Sequence, residues 1–177
     1  HFSIQIWYTI DRKPEVGQKR GLFSASLDED GYMLQYGFGL PCYEWKPGMG
    51  LPRPYLDSSC SPETSLTFSF KFYTGDSELE TIFCNTISDF KFNAWSHIVV
   101  TYDNETASVY HNGSIIGQMP AKAKDGGPIK FPTCEFDYTT KACRIGKFKR
   151  PAGFVIGAYD DDSEFIGHAG MFHSIRM

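Results

Sequence analysis

Two segments of the chain alternate between apolar and mostly polar side chains. In the first, the apolar positions are Phe2, Ile4, Ile6, Tyr8 and Ile10, and the residues between them are Ser3, Gln5, Trp7 and Thr9. In the second, the apolar positions are Leu66, Phe68, Phe70 and Phe72. Successive side chains of a β-strand point to opposite faces, so a period of two predicts strands with one buried face. Such strands bury that face against another layer, and we therefore expect two packed sheets.

The composition supports an all-β domain of ordinary size. The 177 residues include 15 Phe and 10 Tyr, which favour strands, and 17 Gly and 10 Pro, which are typical of turns. No long helical pattern, internal repeat or linker occurs, so we expect a single domain over residues 1–177. His1 is not a natural start, which indicates a fragment of a longer protein.

Further strands and turns are predicted from the same alternation. The predicted strands cover residues 22–26, 32–38, 80–84, 95–102, 107–111, 114–118, 154–158 and 167–175. Asp30-Gly31 and Asn112-Gly113 are typical of tight hairpin turns. Two long segments, 39–64 and 120–153, lack the alternation. The first holds five prolines, so it is predicted to be an ordered surface insertion and not a central strand.

Cysteines and sequons predict a secreted context. The five cysteines are an odd number, so one of them is free or pairs outside the chain. We expect Cys42 to pair with Cys60 and Cys134 with Cys143, each bond closing one of the irregular segments, while the pairing of Cys84 stays open. Asn104 and Asn112 begin N-x-[ST] sequons near polar turns. The alternative is a cytosolic protein with reduced thiols.

Charge and motif content exclude several functions. The net charge of −4 does not favour nucleic-acid binding, and no run of 18 apolar residues would span a membrane. The sequence lacks the closely spaced carboxylates of glycan-cleaving jelly rolls, a G-x-S-x-G motif and a recognised zinc motif. We therefore predict that the domain is not an enzyme.

Three segments, in order, carry a family resemblance. They are 2–7 (FSIQIW), 95–103 (WSHIVVTYD) with 108–113 (SVYHNG), and 155–158 (VIGA) with 165–167 (FIG) and 171–176 (MFHSIR). Together they resemble the laminin-G-like and pentraxin branch of the concanavalin A-like jelly rolls. The resemblance implies an all-β, two-sheet antiparallel jelly-roll sandwich with two long irregular insertions. Val99 stands where pentraxins carry a cysteine, so their core disulfide and ring-shaped assembly are not implied.

Two residues of the middle motif are given structural roles. Trp95 enters a predicted strand from a turn, and we expect it to plug the open end of the sandwich. His97 is expected to be buried, with its ring packed and its nitrogens hydrogen-bonded, rather than to bind a ligand.

The resemblance also places a calcium site in two acidic turns. The residues at the positions where pentraxins hold calcium are Asp28, Glu29, Asp30, Asp160, Asp161 and Asp162. Calcium prefers six to eight oxygen ligands, and a cation would relieve the repulsion between clustered carboxylates. The alternative is two solvated acidic turns.

Two further sets of residues are candidates for partner binding. The Pro-rich segment carries the aromatic residues Tyr43, Trp45 and Tyr55, and the second irregular segment carries the basic residues Lys141, Arg144, Lys147, Lys149 and Arg150. The aromatic residues would stack on a sugar or seat a protein, and the basic residues would bind a sulfated glycan. Local packing and a solvated charged loop are the respective alternatives.

The predicted function is extracellular recognition. We expect a non-catalytic module that binds a protein or glycan partner through its loop rim, with calcium as a possible aid. A structural module that packs against neighbouring domains is the first alternative, and a glycan-cleaving jelly roll is the second.

Overall fold

The structure is a computed structural model. It describes residues 1–16, 18–27, 30–38, 42–44, 53–55, 65–73, 78–86, 90–123, 125–129, 135–139, 142–145, 150–151, 155–160 and 165–177. The strands in these ranges are β1 (Phe2–Tyr8), β2 (Lys19–Leu27), β3 (Asp30–Phe38), β4 (Cys42–Glu44), β5 (Arg53–Tyr55), β6 (Ser65–Tyr73), β7 (Glu78–Thr86), β8 (Ser96–Tyr102), β9 (Thr106–His111), β10 (Ser114–Pro120), β11 (Glu135–Asp137), β12 (Ala142–Ile145), β13 (Arg150–Pro151), β14 (Val155–Ile156), β15 (Ala158–Asp160), β16 (Phe165–Gly167) and β17 (Phe172–Arg176).

Two five-stranded sheets form the body of the fold. The first sheet has the order β10-β9-β8-β1-β17, and the second has the order β14-β2-β3-β6-β7. All pairings in both sheets are antiparallel. The chain crosses from the first sheet to the second after β1 and returns at β8. This two-sheet antiparallel arrangement confirms the predicted jelly-roll sandwich.

The core lies between the two sheets and follows the alternation in the sequence. From the first sheet it takes the inward side chains of β1 and β8, which include Ile4, Ile6, Tyr8, Ile98 and Val100. From the second it takes Leu34, Tyr36, Phe68 and Phe70, which are almost fully buried. Full burial of one such side chain contributes about 1.5–3 kcal/mol. The aromatic-rich alternation therefore accounts for most of the core.

The two sheets differ in how their outer faces are covered. In the second sheet Ser24, Thr67 and Ser69 are fully buried, although they alternate with the inward-facing residues. That sheet therefore has protein on both of its faces. In the first sheet most of the residues that alternate with the core, such as Trp7 and Val99, are exposed or half-buried, whereas Ser108 is buried. Among the described residues, most of its outer face is therefore open.

The segments predicted as irregular contain short strands. β4 pairs with β5 inside the Pro-rich segment, and β11, β12 and β13 form a small sheet inside the second segment. The prediction that residues 120–153 lack regular structure was therefore wrong in part. Their side chains do not alternate over a long enough run to reveal strands of only two to four residues.

The two predicted C-terminal strands are each interrupted. The segment 154–158 is divided into β14 and β15 at Gly157, and the segment 167–175 is divided into β16 and β17. Between β16 and β17, residues 168–171 run beside the segment that follows β1, because the carbonyls of Met171 and Ala169 accept hydrogen bonds from the N–H groups of Thr9 and Asp11.

The disulfide predictions lie outside the described residues. Cys60 and Cys134 are not described, and of Cys42, Cys84 and Cys143 only the backbone is described. The backbone pairings of these three are with Tyr55, Thr67 and Phe136 respectively. Both disulfides stay predictions.

Candidate functional site

The open face of the first sheet carries a group of large exposed side chains. We define the aromatic face as Trp7, Trp95, His97, Tyr110, Ile115 and His173. Strand alternation places them there, because Ile6 and Tyr8 on β1 and Ser96 and Ile98 on β8 are buried on the other side. Trp7 is 43% exposed, Trp95 48% and Ile115 52%. Exposed residues of this size in one area are a usual sign of an interaction surface.

Ring contacts order this face. Trp7 and His97 are direct cross-strand partners, and their rings stack with centroids 4.6 Å apart and planes 15° apart. Trp95 meets His173 edge-on, with centroids 5.8 Å apart. Ile115 lies opposite Tyr110 on the neighbouring strand. The tryptophans are thus held in place by neighbouring rings while about half of their surface faces solvent.

The five strands of this sheet contain no Asp, Glu or Lys, and Arg176 is their only permanently charged residue. This is unusual in a chain that has 21 acidic residues and a net charge of −4. The acidic side chains closest to the sheet in sequence, Asp103 and Glu105, lie in the β8–β9 turn. The residues of the aromatic face therefore carry no permanent charge.

His97 differs from what its sequence context predicted. Its ring is only half-buried and lies on the outer face, and its Nε2 has no hydrogen-bond partner among the described residues. Burial of the ring against Trp7 lowers the pKa of His97. The expectation of a buried, hydrogen-bonded histidine was wrong, because position 97 alternates with the core residues Ser96 and Ile98.

Trp95 also departs from its predicted role. It is half-exposed beside His173 and does not plug the end of the sandwich. Trp95 precedes β8 with the same parity as His97, so it faces outward. The alternation in β1 likewise predicts that Trp7 faces outward, because Trp7 lies on the same side of the strand as Ser3 and Gln5.

Asn112 lies at the edge of the aromatic face, in the β9–β10 turn. Its φ of 49° and the φ of 84° at Gly113 are those of a primed turn, which confirms the predicted turn type. The Asn112 N–H donates to the His97 carbonyl at 2.8 Å, and Asn112 Oδ1 accepts from the His97 N–H at 2.8 Å. Asn104, in the β8–β9 turn, is exposed and has a φ of 80°.

A second polar group is enclosed between the sheets. The hydroxyl of Tyr36 lies 3.0 Å from His168 Nδ1 and accepts a longer bond from the Ala169 N–H at 3.5 Å. Burial raises the pKa of Tyr36 to about 12, raises the pKa of Tyr8 and lowers the pKa of His168. All three groups are thus kept neutral at pH 7. They contribute packing and hydrogen bonds rather than charge.

The predicted calcium ligands fall at two separate places. Asp30 begins β3 and pairs with Leu27 at the end of β2. Asp160 ends β15, which contacts β2, and Gly157 just before that strand bonds to Leu22, so the chain runs from there toward the start of β2. β2 spans nine residues, or about 26 Å between its end Cα atoms. One ion bound by both Asp30 and Asp160 does not fit this register.

The other four acidic candidates, Asp28, Glu29, Asp161 and Asp162, lie outside the described residues. Within the described part of the chain, no three His, Cys, Asp or Glu side chains come together as a metal site. Calcium binding therefore stays a prediction.

The two loop-rim sets are partly described. Tyr43 and Tyr55 lie on the paired strands β4 and β5, and Trp45 is outside the described residues. Arg144 and Arg150 lie on the paired strands β12 and β13, while Lys147 and Lys149 are outside. The structure brings each pair into one small sheet but leaves their roles in binding as predictions.

The comparisons with known proteins identify a fold. No protein-family model matches the sequence, and no curated protein is significantly similar to it. Among solved structures, a native heptameric SAP-like pentraxin from Limulus polyphemus matches with a TM-score of 0.52 and 12% identity over 98% of this chain. This chain covers 61% of the length of that pentraxin chain. The binding domain of botulinum neurotoxin serotype C1 matches over 73% of this chain and 25% of its own, with a TM-score of 0.45 and 19% identity.

Among the described residues there is no helix that is long and apolar enough to cross a membrane. The pentraxin match covers nearly the whole of this chain, and that pentraxin is a jelly-roll sandwich. The chain therefore has a jelly-roll sandwich fold similar to that of the pentraxin, as its three ordered sequence motifs predicted.

Proposed function

We propose that this chain is a non-catalytic recognition domain of an extracellular protein and that it binds a protein partner through the aromatic face. The observation that carries the proposal is the pair of half-exposed tryptophans on a sheet whose strands contain no Asp, Glu or Lys. The sequons on two exposed turns support the extracellular setting.

The composition of the face favours a protein over a sugar. The central parts of protein interfaces are depleted in Asp, Glu and Lys and enriched in Trp, Tyr and Arg. The face follows this pattern, since it contains Trp7, Trp95 and Tyr110, and Arg176 lies on the edge strand β17. It also extends across five strands, about 19 Å at the usual strand spacing, which is wider than a single sugar ring needs.

The test is to replace each tryptophan by alanine and to measure binding to purified extracellular proteins. We expect W7A and W95A each to weaken a specific interaction about tenfold or more. Tryptophans that become buried in an interface are frequent hot spots, and their replacement by alanine often costs about 2 kcal/mol or more of binding free energy. T101A is the matched control, because Thr101 lies on the same face at its polar end. A partner that binds W7A and W95A as well as the parent would contradict the proposal.

A glycan array tests the alternative of a sugar ligand. If W7A abolishes binding to a sugar on the array, the partner of the aromatic face is a glycan and not a protein.

The loop rim provides a second prediction of binding. Arg144 and Arg150 lie on the paired strands β12 and β13, in the segment that holds the basic residues. If this region binds a sulfated glycan, R144Q together with R150Q would abolish retention on a sulfated matrix, while W7A would leave it unchanged.

A further inference from the structure

The sequon Asn112-Gly113-Ser114 lies beside the aromatic face. All three residues are exposed, and the turn projects from the sheet between β9 and β10. The primed turn holds Asn112 at a φ of 49°, so the position of its side chain is set by the hairpin. This sequon is therefore on an accessible and well-ordered part of the chain.

Hydrogen bonds orient the Asn112 amide. Oδ1 accepts from the His97 N–H, and the Asn112 N–H donates back to the His97 carbonyl, both at 2.8 Å. Nδ2, the atom to which an N-linked glycan is attached, has no hydrogen-bond partner among the described residues. Attachment of a sugar would leave the bond to Oδ1 intact, since that oxygen remains an acceptor in the glycosylated amide.

The position of the Asn112 side chain beside β8 brings a sugar close to Trp95. The Asn112 side chain takes the position that a continuing β9 backbone would occupy, at the edge of β8. Beyond His97, β8 leads to Ser96 and Trp95, and two residues of strand cover about 7 Å. A sugar on Nδ2 would therefore emerge next to the exposed indole of Trp95.

We infer that Asn112 carries an N-linked glycan that covers the Trp95 end of the aromatic face and restricts the docking of a protein partner there. In the modification, C1 of the first sugar bonds to Nδ2, which loses one proton. The bond from C1 to the diphosphate of the lipid-linked donor breaks, and the diphosphate leaves with the electron pair. The part of this inference that concerns a partner rests on the proposed function, whereas the placement of the glycan does not.

Asn104 provides an internal comparison. It lies in the β8–β9 turn at the opposite end of β8, which spans seven residues or about 20 Å. The outward residues closest to it on the sheet, Ser3 and Thr101, are polar. A glycan at Asn104 would leave the tryptophans uncovered.

The experiment compares two sequon variants of the chain secreted from eukaryotic cells. S114A removes the Asn112 sequon but keeps Asn112 and its bonds to His97, and T106A removes the Asn104 sequon in the same way. Both are made with W45F, so that Trp7 and Trp95 are the only tryptophans. Intact mass measures occupancy, and acrylamide quenching of fluorescence measures exposure of the indoles.

We expect the parent to carry a glycan at Asn112 and to be quenched less than the unmodified chain. S114A should be quenched like the unmodified chain, and T106A like the parent. Affinity for a partner found through W7A and W95A should rise about tenfold in S114A, equivalent to 1.4 kcal/mol. An unmodified Asn112 in the secreted parent, or equal quenching of parent and S114A, would overturn the inference.

The two proposals fail separately. The tryptophans could be protected from the quencher in the parent but not in S114A, while no partner depends on Trp7. That result would reject the proposed function and retain the glycan placement. A partner that depends on Trp7 and binds parent and S114A equally would retain the function and reject the shielding.

Discussion

His168 illustrates how one residue can join several elements. Its ring lies against Tyr8, Tyr36 and Phe172, which come from β1, β3 and β17. The Tyr36 hydroxyl lies 3.0 Å from His168 Nδ1 and accepts from the Ala169 N–H at 3.5 Å. Nε2 faces the Thr9 carbonyl but falls short of hydrogen-bond geometry. A single hydroxyl thus joins the His168 ring to β3.

The substitution Y36F tests that hydroxyl. Removal leaves His168 Nδ1 without its partner in the interior, so the free energy of unfolding should fall by about 1–3 kcal/mol. Urea denaturation at pH 7 measures it. Y110F, which alters a half-exposed tyrosine on the open face, should change stability by less than about 0.5 kcal/mol. Equal effects of the two substitutions would show that the buried bond contributes nothing.

We predict that stability depends on pH through three histidines. Burial lowers the pKa of His97, His111 and His168 below the ordinary 6.5. Near His168, the charge of Asp11 raises the pKa and that of Arg20 lowers it, while Tyr8 and Tyr36 stay neutral. The unfolded chain then binds more protons than the folded chain, so stability is complete above pH 6.5 and is lost as the pH falls through the folded pKa values.

Urea denaturation between pH 7.5 and 5 measures this loss, and H168Q should make the curve flatter. The lowered pKa of Asp103, caused by the N–H groups of Thr106 and Glu105, acts in a separate window that begins below 3.8. A free energy of unfolding that is constant from pH 7.5 to 5 would contradict the assignment to the histidines.

At the scale of elements, two glycines control where strands turn. Gly113 has a φ of 84° and open space around its Cα, so alanine there would suffer only from the left-handed backbone. Gly170, between β16 and β17, packs so closely on the end of β1 that a Cβ would overlap the Thr9 carbonyl oxygen and His168 Nε2. The Thr9 backbone, just after β1, thus leaves no room for a side chain at position 170.

We expect G170A to destabilise the domain more than G113A. The cost for G113A is about 1–2 kcal/mol, the usual penalty for a left-handed residue other than glycine. G170A must also displace backbone, and its loss should exceed that of G113A in the same urea experiment. If G170A proves to be the milder variant, the close approach of residues 168–171 to β1 is not maintained in solution.

For the whole molecule, the important feature is the difference between the two sheets. Buried Ser24, Thr67 and Ser69 show that the second sheet is covered on both faces, whereas Trp7, Trp95 and Ile115 leave the first sheet open. A sandwich needs only one apolar face on each sheet, so exposed aromatic residues on an outer face are not required for folding. The exposed aromatic residues on the first sheet therefore indicate an interaction surface.

Calcium binding can be tested by thermal melting. Since β2 separates Asp30 from Asp160, we expect any calcium to bind at only one of the two acidic turns. The segment 160–164 is the better candidate, because it offers four carboxylates and residues 28–30 offer three. Calcium should then raise the melting temperature, D160N should abolish the rise, and D30N should preserve it. Melting that is indifferent to both calcium and a chelator would count against the site.

The sequence by itself determined the class of fold and the core. The period-two patterns around Phe2–Tyr8 and Ser65–Tyr73 record which side chains are buried, because strand geometry converts sequence parity directly into sheet face. The primed turn at Asn112-Gly113 was predictable for a similar reason, since few residue pairs tolerate two positive φ angles.

Only the tertiary structure decided which outer face remains open. Parity alone assigns Trp7, Trp95 and His97 to the side away from the core, but it does not reveal whether another segment covers that side. The sequence-based roles for Trp95 and His97 were wrong because they rested on residue type. Coverage depends on contacts between segments far apart in the chain, as Ser24 and Thr67 on the second sheet demonstrate. Local patterns carry no information about such contacts, so the aromatic face became visible only once both sheets were assembled.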